Sequence, residues 1–186
     1  MAVAEVETFH RWTREEYERM AAEGYFHPEA RVELIEGIVH DMAPKGSFHS
    51  TAVSLLQQAL RKVFLSGFDV RGQLPLALGE DSEPEPDVAV VPGGPRDYTH
   101  GHPTTALLVV EVSDSSLLYD RRTKLPLYAR HGIQECWVVN LRNKTLEVYR
   151  EPSDGLYRSR TALQAGDTVS PLARPEAVIP VADLMP

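Results

Sequence analysis

The feature that most constrains this chain is a continuous apolar run, Ala106 to Val112, that carries one charged residue, Glu111. A run rich in β-branched residues without polar alternation is typical of a strand covered on both faces of a sheet. A second such run, PDVAVV at positions 86–91, opens with Asp87. An isolated ionised carboxylate there costs on the order of several kcal/mol unless a partner compensates its charge. The pattern therefore predicts an α/β fold with helices on both faces of a central sheet, and a partner for each acid.

The partner of Asp87 and Glu111 is open to more than one interpretation. Two carboxylates that converge on one cation provide the oxygen ligands that Mg²⁺ prefers, and Lys124 follows on a segment with helical character. Alternatively, Asp87 caps a turn after Pro86, and Glu111 pairs with an arginine. Two acids followed by a lysine in this order favour the metal interpretation and, with it, hydrolysis of phosphodiester bonds.

Length and composition are typical of one globular domain. The chain has 186 residues, of which 42% are hydrophobic and 25% charged, and we expect one domain over residues 1–186. The N-terminal segment has no basic stretch followed by an apolar core, and no apolar run reaches membrane-spanning length. The single Cys136 cannot form an internal disulfide. We therefore expect a cytoplasmic protein without a membrane segment.

The net charge of −8 argues against a protein that binds nucleic acid through its overall charge. Sequence-independent affinity for DNA comes from lysine and arginine side chains that neutralise phosphates. An acidic enzyme can still concentrate basic residues on one surface, and a bound cation offsets the charge of a carboxylate site. The net charge therefore argues against a nucleic-acid-binding protein but does not exclude one.

Hydrophobic spacing and turn residues predict a mixed order of helices and strands. Thr13 begins a capping-box pattern for a first helix that ends near Gly24. Apolar residues recur at intervals of three and four within 50–65, which predicts a long amphipathic helix. A further helix lies within 120–131. The predicted strands cover two pieces of 31–42 joined at Glu36 and Gly37, followed by 68–78, 87–91, 106–112, 135–140, 145–150, 157–163 and 178–182.

Pro126 leaves the start of the last predicted helix open. If Thr123 is the N-cap, Pro126 falls in the first turn, where its missing N–H does no harm. If Asp120 is the N-cap, the proline lies inside the helix and should bend it. The position of Lys124 depends on which alternative holds.

Five pieces of the sequence form a pattern: ELIEG at 33–37, His49, PDVAVV at 86–91, LLVVEVSDSS at 107–116 and the segment 120–140. Together they resemble the Uma2 family, formerly domain of unknown function 820, in the PD-(D/E)xK nuclease-like superfamily. The resemblance implies a restriction-endonuclease-like fold, with a central mixed β-sheet flanked by helices, an N-terminal helix and extra β-strands at both ends. It also implies a site for Mg²⁺ or Mn²⁺ at Asp87 and Glu111, with Lys124 beside it.

One position departs from the superfamily pattern. The usual lysine stands two residues after the acid on the same strand, where this chain has Ser113. Lys124 would therefore have to reach the site from the following helix, where it is expected to orient the nucleophilic water or stabilise charge on the phosphate. Asp87, Glu111 and the main-chain carbonyl of Val112 are expected to hold the metal ion.

Three further residues are candidates for the same site. Glu33 is a candidate second acid; residues 33 and 36 face opposite sides of a strand, so at most one of Glu33 and Glu36 joins the site, and Glu33 is preferred. His49 is a candidate for phosphate contact or proton transfer, with a structural role as the alternative. Tyr128 shares a helix face with Lys124 and is the third candidate, with core packing as the alternative.

The function predicted from these residues is that of a divalent-metal-dependent endonuclease that hydrolyses phosphodiester bonds, with DNA as its expected partner. A homodimer is expected, because two strands have to be cut. One alternative is a catalytically silent protein that keeps the nuclease fold for binding or assembly, and another is a hydrolase of smaller phosphoesters. The motifs of P-loop NTPases, dinucleotide-binding domains, serine hydrolases and zinc proteases do not occur in the sequence.

Overall fold

The computed structural model describes residues 10–186. In chain order its elements are α1 (Arg14–Ala22), β1 (Val32–Ile35), β2 (Ile38–Asp41), α2 (Ser47–Val63), β3 (Phe68–Gly72), β4 (Val88–Pro92), β5 (Leu108–Ser113), α3 (Leu117–Tyr119), a π-helical turn (Asp120–Lys124), α4 (Leu125–Arg130), β6 (Glu135–Asn140), β7 (Thr145–Ser153), β8 (Leu156–Leu163), β9 (Thr168–Val169) and β10 (Ile179–Pro180). The central mixed sheet has six strands in the order β3-β4-β5-β6-β7-β8. The predicted N-terminal helix, central sheet and extra strands at both ends are confirmed.

Both faces of the central sheet are covered, as the uninterrupted apolar runs predicted. Alternate residues of a strand point to opposite sides, so Val88 and Val110 pack in one core with α2, while Ala89 and Val109 pack in another core with α4. A strand without a solvent-facing side needs no polar alternation, which is why its sequence is apolar throughout. Glu111 lies on the same side as Val109 and therefore faces α4.

The long amphipathic helix predicted for 50–65 is α2, which begins earlier, at Ser47. Gly46 is its N-cap, and its first turn is largely exposed, so no apolar periodicity marks that turn in the sequence. The side chains of Leu56 and Leu60 are fully buried against the sheet. Truncation of either leucine to alanine would cost roughly 2–5 kcal/mol, so α2 is an anchor for this face of the sheet.

The strand predicted for 68–78 is shorter in the structure, because β3 ends before Gln73. Gln73 has a positive φ of 53°, which interrupts the extended chain. Beyond it the main chain leaves the sheet, and the N–H of Leu76 donates to the carbonyl of Pro84. Leu76 is buried in the core beside α4 without belonging to a strand, a distinction that an apolar pattern does not make.

The hairpin of β1 and β2 lies outside the central sheet. Its two-residue turn has positive φ at both Glu36 (49°) and Gly37 (77°), as a tight hairpin turn requires. A Cβ at position 37 would lie 2.6 Å from the Cβ of Arg11, so the close approach also requires glycine. The register sets Glu33 opposite His40, which puts both side chains on one face of the hairpin.

The C-terminal region adds a short ladder of β9 and β10 beside the sheet. The strand predicted for 145–150 extends to Ser153, and the piece predicted at 178–182 is β10 followed by a 3₁₀ turn. No helix within residues 10–186 is both long and apolar enough to cross a membrane. The prediction about an export signal concerns the N-terminal segment, of which residues 1–9 lie outside the described range.

The connection between the parallel strands β5 and β6 runs through α3, the π-helical turn and α4. In that turn the N–H of Leu125 donates to the carbonyl of Asp120, five residues earlier. The ring of Pro126 would clash with the preceding turn of a regular α-helix, and the wider π-helical turn gives it room. Ser116 precedes the first helical residue, so both predicted N-caps, Thr123 and Asp120, were wrong.

Candidate active site

The pairing of β4 with β5 brings the two acids of the apolar runs together. Val88 lies opposite Val110 in the antiparallel register, and one further step sets Asp87 opposite Glu111 on the same face. The N–H of Val112 donates to Oδ2 of Asp87 at 2.9 Å. Both acids are nearly inaccessible, with 5% of Asp87 and 3% of Glu111 exposed.

Lys124 reaches the acids from the π-helical turn. Its Nζ lies 3.2 Å from Oε1 of Glu111 and 3.0 Å from Oε2 of Glu33. Tyr128, one turn further along the helix, donates its hydroxyl hydrogen to Oε1 of Glu111 at 2.5 Å. The structure therefore brings a lysine to the acid from outside the strand, and it brings Tyr128 to the same carboxylate.

Only one of the two glutamates in the hairpin lies in this cluster. Besides the contact with Lys124, Oε2 of Glu33 accepts from the N–H of Glu85 at 3.1 Å, and Oε1 accepts from the hydroxyl of Tyr119 at 3.4 Å. Glu36 lies at the exposed turn and pairs with Arg130. Glu33 is thus held from three sides and is placed to fix the ammonium group of Lys124.

Asp87 is surrounded by hydrogen-bond donors. Nζ of Lys45 lies 2.9 Å from Oδ1, which also accepts from Nε2 of Gln73 at 3.3 Å. Nε2 of His49, in the first turn of α2, lies 3.1 Å from Oδ2. Lys45 and Gln73 were not predicted from the sequence. A lysine between Pro44 and Gly46 in a loop carries no periodic signal, so only the fold reveals its contact.

Ser113 occupies the strand position where the superfamily pattern has its lysine, and it has a different role here. Its hydroxyl donates to Oδ2 of Asp120 at 2.6 Å, and the hydroxyl of Ser116 donates to the same oxygen at 2.7 Å. Asp120 is the first residue of the π-helical turn. These contacts tie the turn to the end of β5 and so help to set the reach of Lys124.

A cavity of about 440 Å³ opens above the cluster. Its lining includes Asp87, Glu111, Val112 and Lys124. Glu33, His40, Asp41, the loop 42–46, His49, Glu85, the segment 114–116, Tyr119 and Asp120 complete the lining. All the candidate residues predicted from the sequence line this cavity except Tyr128. Tyr128 lies behind the lining and donates to Glu111.

The two facing acids have pKa values displaced in opposite directions. Burial would raise the pKa of Asp87, but the hydrogen bond from His49 and the charge of Lys45 outweigh it and hold that pKa well below its usual range. Burial raises the pKa of Glu111 to about 8, although the charge of Lys124 opposes the shift. Two neighbouring carboxylates of which one readily keeps a proton are typical of a functional pair.

Lys124 and Tyr128 both keep their protons. Burial by itself would lower the pKa of Lys124, but the carboxylates around it, first Glu111 and then Glu33, raise it above its usual range. Burial raises the pKa of Tyr128 well above its ordinary value. The raised pKa favours Lys124 as a cation and hydrogen-bond donor.

The donor atoms at this site suit a hard divalent cation. Within residues 10–186, no three His, Cys, Asp or Glu side chains are grouped to hold a metal ion, but two carboxylates and a carbonyl are a set that Mg²⁺ completes with water. Oε2 of Glu111 accepts no hydrogen bond from the described residues. The N–H and C=O of a strand residue point to the same edge, so the carbonyl of Val112 is directed toward Asp87.

Comparison with known proteins gives a family for this arrangement. The family model of Uma2, described as "Putative restriction endonuclease", matches residues 14–182. No curated protein shows significant similarity to the sequence. Among solved structures, "a putative nuclease belonging to DUF820" from Anabaena variabilis superposes with a TM-score of 0.72 at 17% identity, over 92% of this chain and 96% of the other.

A second solved structure, the type IIG restriction endonuclease BpuSI, has a TM-score of 0.39 at 19% identity, over 59% of this chain and 12% of the other. A TM-score this low does not support a shared fold. The likeness to the Anabaena protein shows a shared fold, and the restriction-endonuclease-like α/β fold predicted from the sequence is confirmed. With a family match that spans most of its length, this chain belongs to the Uma2 family of restriction-endonuclease-like proteins.

Proposed function

We propose that this protein is a divalent-metal-dependent endonuclease that hydrolyses phosphodiester bonds of DNA. The observation that carries the proposal is the convergence of Asp87, Glu111 and Lys124 on one cavity in a chain of a nuclease family. Two buried carboxylates side by side cost folding free energy, and a shared divalent cation would offset that cost. A structural role alone gives no reason for the cluster to open onto a cavity.

Asp87, Glu111 and the carbonyl of Val112 are the groups that would hold Mg²⁺ or Mn²⁺. When bound there, the cation supplies polarisation of the phosphoryl group and acidification of water. Lys45 now donates to Oδ1 of Asp87, and movement of this lysine would free that oxygen for coordination. Because Lys45 lies on an exposed loop, such a movement requires no change in the sheet.

The remaining residues supply charge and orientation. Lys124 donates hydrogen bonds to the phosphate and stabilises the negative charge that develops on it. Glu33 is a positioning residue, because it holds the ammonium group of Lys124 from the side of the hairpin. Tyr128 and His49 are also positioning residues: Tyr128 fixes the rotamer of Glu111, and His49 fixes that of Asp87.

The proposal is tested by cleavage of single-stranded, duplex and branched DNA in the presence of Mg²⁺ or Mn²⁺. Cleavage by the wild-type protein should need the cation, and Glu111→Gln should lower the rate by roughly a hundredfold or more. Glu36→Gln, at the exposed end of the hairpin, is the control and should cleave like wild type. Equal activity in the wild type and Glu111→Gln would contradict the proposal.

A catalytically silent binding protein is the second candidate function, and one observation favours it. Both carboxylate oxygens of Asp87 already accept hydrogen bonds from donors of the chain itself. A carboxylate satisfied in this way has less need of a metal ion. The net charge of −8 also reduces attraction to DNA.

Calorimetric titration with Mg²⁺ and Mn²⁺ separates the two functions. If the protein is an endonuclease, it should bind the cation, and Asp87→Asn should weaken that affinity at least tenfold, because the variant lacks one charged ligand. Absence of binding in the wild-type protein, or the same affinity in Asp87→Asn, would favour the silent protein. The homodimer and the cytoplasmic location stay predictions from the sequence.

A further inference from the structure

The cavity narrows the class of DNA that can reach the acids. We propose that it accepts an unpaired stretch of DNA, with one base against the rings of His40 and Tyr119. This inference rests on the proposed function, because it concerns the substrate of the same site. It assigns a binding role to two aromatic side chains that the catalytic scheme does not use.

The depth of the acids is the first reason. Asp87 and Glu111 are almost completely buried, and a cavity of about 440 Å³ leads to them. That volume lies in the range of pockets for small molecules, so it can take a nucleotide but not the width of a duplex. A phosphate of a regular duplex stays on the outside of a double helix, whereas a flexible single strand can bend into the cavity.

The charge of the lining is the second reason. Duplex DNA carries one negative charge per roughly 1.7 Å of its axis, and proteins bind it with several free cations. The lysines that line the cavity, Lys45 and Lys124, are already paired with carboxylates. Asp41 and Asp114 are exposed in the same lining. This distribution gives a duplex little attraction, and a single strand has half the charge to accommodate.

The rings of His40 and Tyr119 are the third reason. Both side chains line the cavity and are half-buried, and their ring centroids lie 5.6 Å apart at an angle of 54°. His40 is fixed by the hairpin opposite Glu33, and the hydroxyl of Tyr119 donates to Glu33. Bases stack on such rings with little regard to sequence, which is how single-strand-binding proteins hold DNA. Met42 adds an apolar surface to the same lining.

Fluorescence anisotropy in EDTA tests the inference through binding alone, without cleavage. A short single-stranded oligonucleotide should bind to the wild-type protein roughly tenfold or more tightly than a blunt duplex of the same sequence. Tyr119→Ala and His40→Ala should each weaken single-strand binding by roughly fivefold or more, the effect of losing one stacked base. Equal or tighter binding of the duplex would overturn the inference.

Two matched variants separate stacking from structural effects. Tyr119→Phe keeps the ring and loses only the hydroxyl that contacts Glu33, so it should bind the single strand like wild type. Tyr25→Ala removes an aromatic ring that is 70% exposed and does not line the cavity, and it should also bind like wild type. If Tyr119→Ala binds as tightly as Tyr119→Phe, the stacking role is wrong.

The failure of this inference differs from the failure of the proposed function. Glu111-dependent cleavage inside blunt duplexes, without preference for unpaired DNA, would overturn the inference and leave the endonuclease proposal intact. Single-strand binding that depends on Tyr119, without cleavage in any divalent cation, would overturn the endonuclease proposal and support the binding site.

Discussion

Two buried glutamates lie in one row across the sheet and have different surroundings. Glu111 on β5 is opposite Val138 on β6, and Val138 is opposite Glu147 on β7, so all three share a face. Glu111 opens onto the cavity with Lys124 beside it. Glu147 lies outside the lining of that cavity and is enclosed by donors that contact both of its oxygens: Nε of Arg121 at 3.1 Å, Nη2 of Arg160 at 3.1 Å and the hydroxyl of Tyr149 at 2.6 Å.

The difference shows that burial alone does not mark a functional acid. Burial would raise the pKa of Glu147, but hydrogen bonds, first from Arg121 and then from Tyr149 and Arg160, outweigh it and lower that pKa. At Glu111 the burial dominates and the pKa is raised. A carboxylate with a complete set of donors contributes to stability, whereas one with an incomplete set that faces a cavity is available for a ligand.

The largest difference in cleavage rate is expected between variants of Lys124 and Arg121. Both side chains extend from the π-helical turn, Lys124 toward Glu111 and Arg121 toward Glu147. Lys124→Met should slow DNA cleavage by roughly a hundredfold or more, because it removes the charge that stabilises the phosphate. Arg121→Met should leave the cleavage rate unchanged and lower the free energy of unfolding by about 1 kcal/mol, since its guanidinium is partly exposed. Initial cleavage rates and urea unfolding are measured for both variants. Equal losses of cleavage rate would contradict the prediction.

The next contrast is the sign of the pH dependence of stability, measured in EDTA by urea unfolding between about pH 2 and pH 9. The pKa of Glu111 rises from its ordinary 4.5 to about 8 on folding, so its contribution is complete below pH 4.5 and disappears as the pH rises through 8. Glu111→Gln should remove that decline, which amounts to about 1.4 kcal/mol for each pKa unit.

Glu147 should show the opposite dependence, because folding lowers its pKa. Its contribution is present above its ordinary pKa of 4.5 and is lost as the pH falls through the folded value. Glu147→Gln should therefore flatten the acidic side of the profile and leave the alkaline side unchanged. An alkaline decline that persists in Glu111→Gln would show that another group causes it.

A smaller effect distinguishes two tyrosines that donate to these glutamates. Tyr128→Phe removes the hydrogen bond to Glu111, and the cleavage rate should fall by roughly three- to tenfold. The pH–rate profile should also shift to higher pH, because that hydrogen bond lowers the pKa of Glu111. Tyr149→Phe should cost about 0.5–1.5 kcal/mol of stability without a change of rate. A profile that does not shift in Tyr128→Phe would mean that this tyrosine only fills the core.

The smallest effect is expected at an ion pair that is neither buried nor beside the cavity. Glu36 and Arg130 are 47% and 42% exposed and connect the hairpin turn with α4. Glu36→Ala should change the free energy of unfolding by less than about 0.5 kcal/mol. Thermal and urea unfolding give the value. A cost above about 1 kcal/mol would show that this contact fixes the hairpin, and Glu36 would no longer serve as a neutral control.

Much of the sheet could be predicted, because local patterns determine its strands, and the meeting of Asp87 with Glu111 followed from the order of their strands and from the resemblance to the Uma2 family. The strand at 135–140 has the predicted bounds, and the turn at Glu36 and Gly37 lies where the two residues indicated it. Each of these features depends on neighbours within a few positions. The preference for Glu33 over Glu36 agrees with their positions in the structure, where Glu33 is buried on β1 and Glu36 is exposed in the hairpin turn.

The contacts that sequence reasoning missed join residues that are distant in the chain. Glu135 accepts from the N–H of Leu172 at 2.6 Å, and Lys45 donates to Asp87 at 2.9 Å. No periodicity or turn signal links such pairs. The start of the last helix was missed for another reason, because the prediction considered α-helical geometry alone and the chain accommodates Pro126 with a π-helical turn.

Because of that turn, the position of Lys124 relative to Glu111 depends on the number of residues in the helix. A π-helical turn holds about one residue more than a turn of α-helix, so deletion of one residue within Asp120–Lys124 would leave only an α-helical turn. The ring of Pro126 would then clash with the preceding turn, and the segment that holds Lys124 beside Glu111 would have to bend.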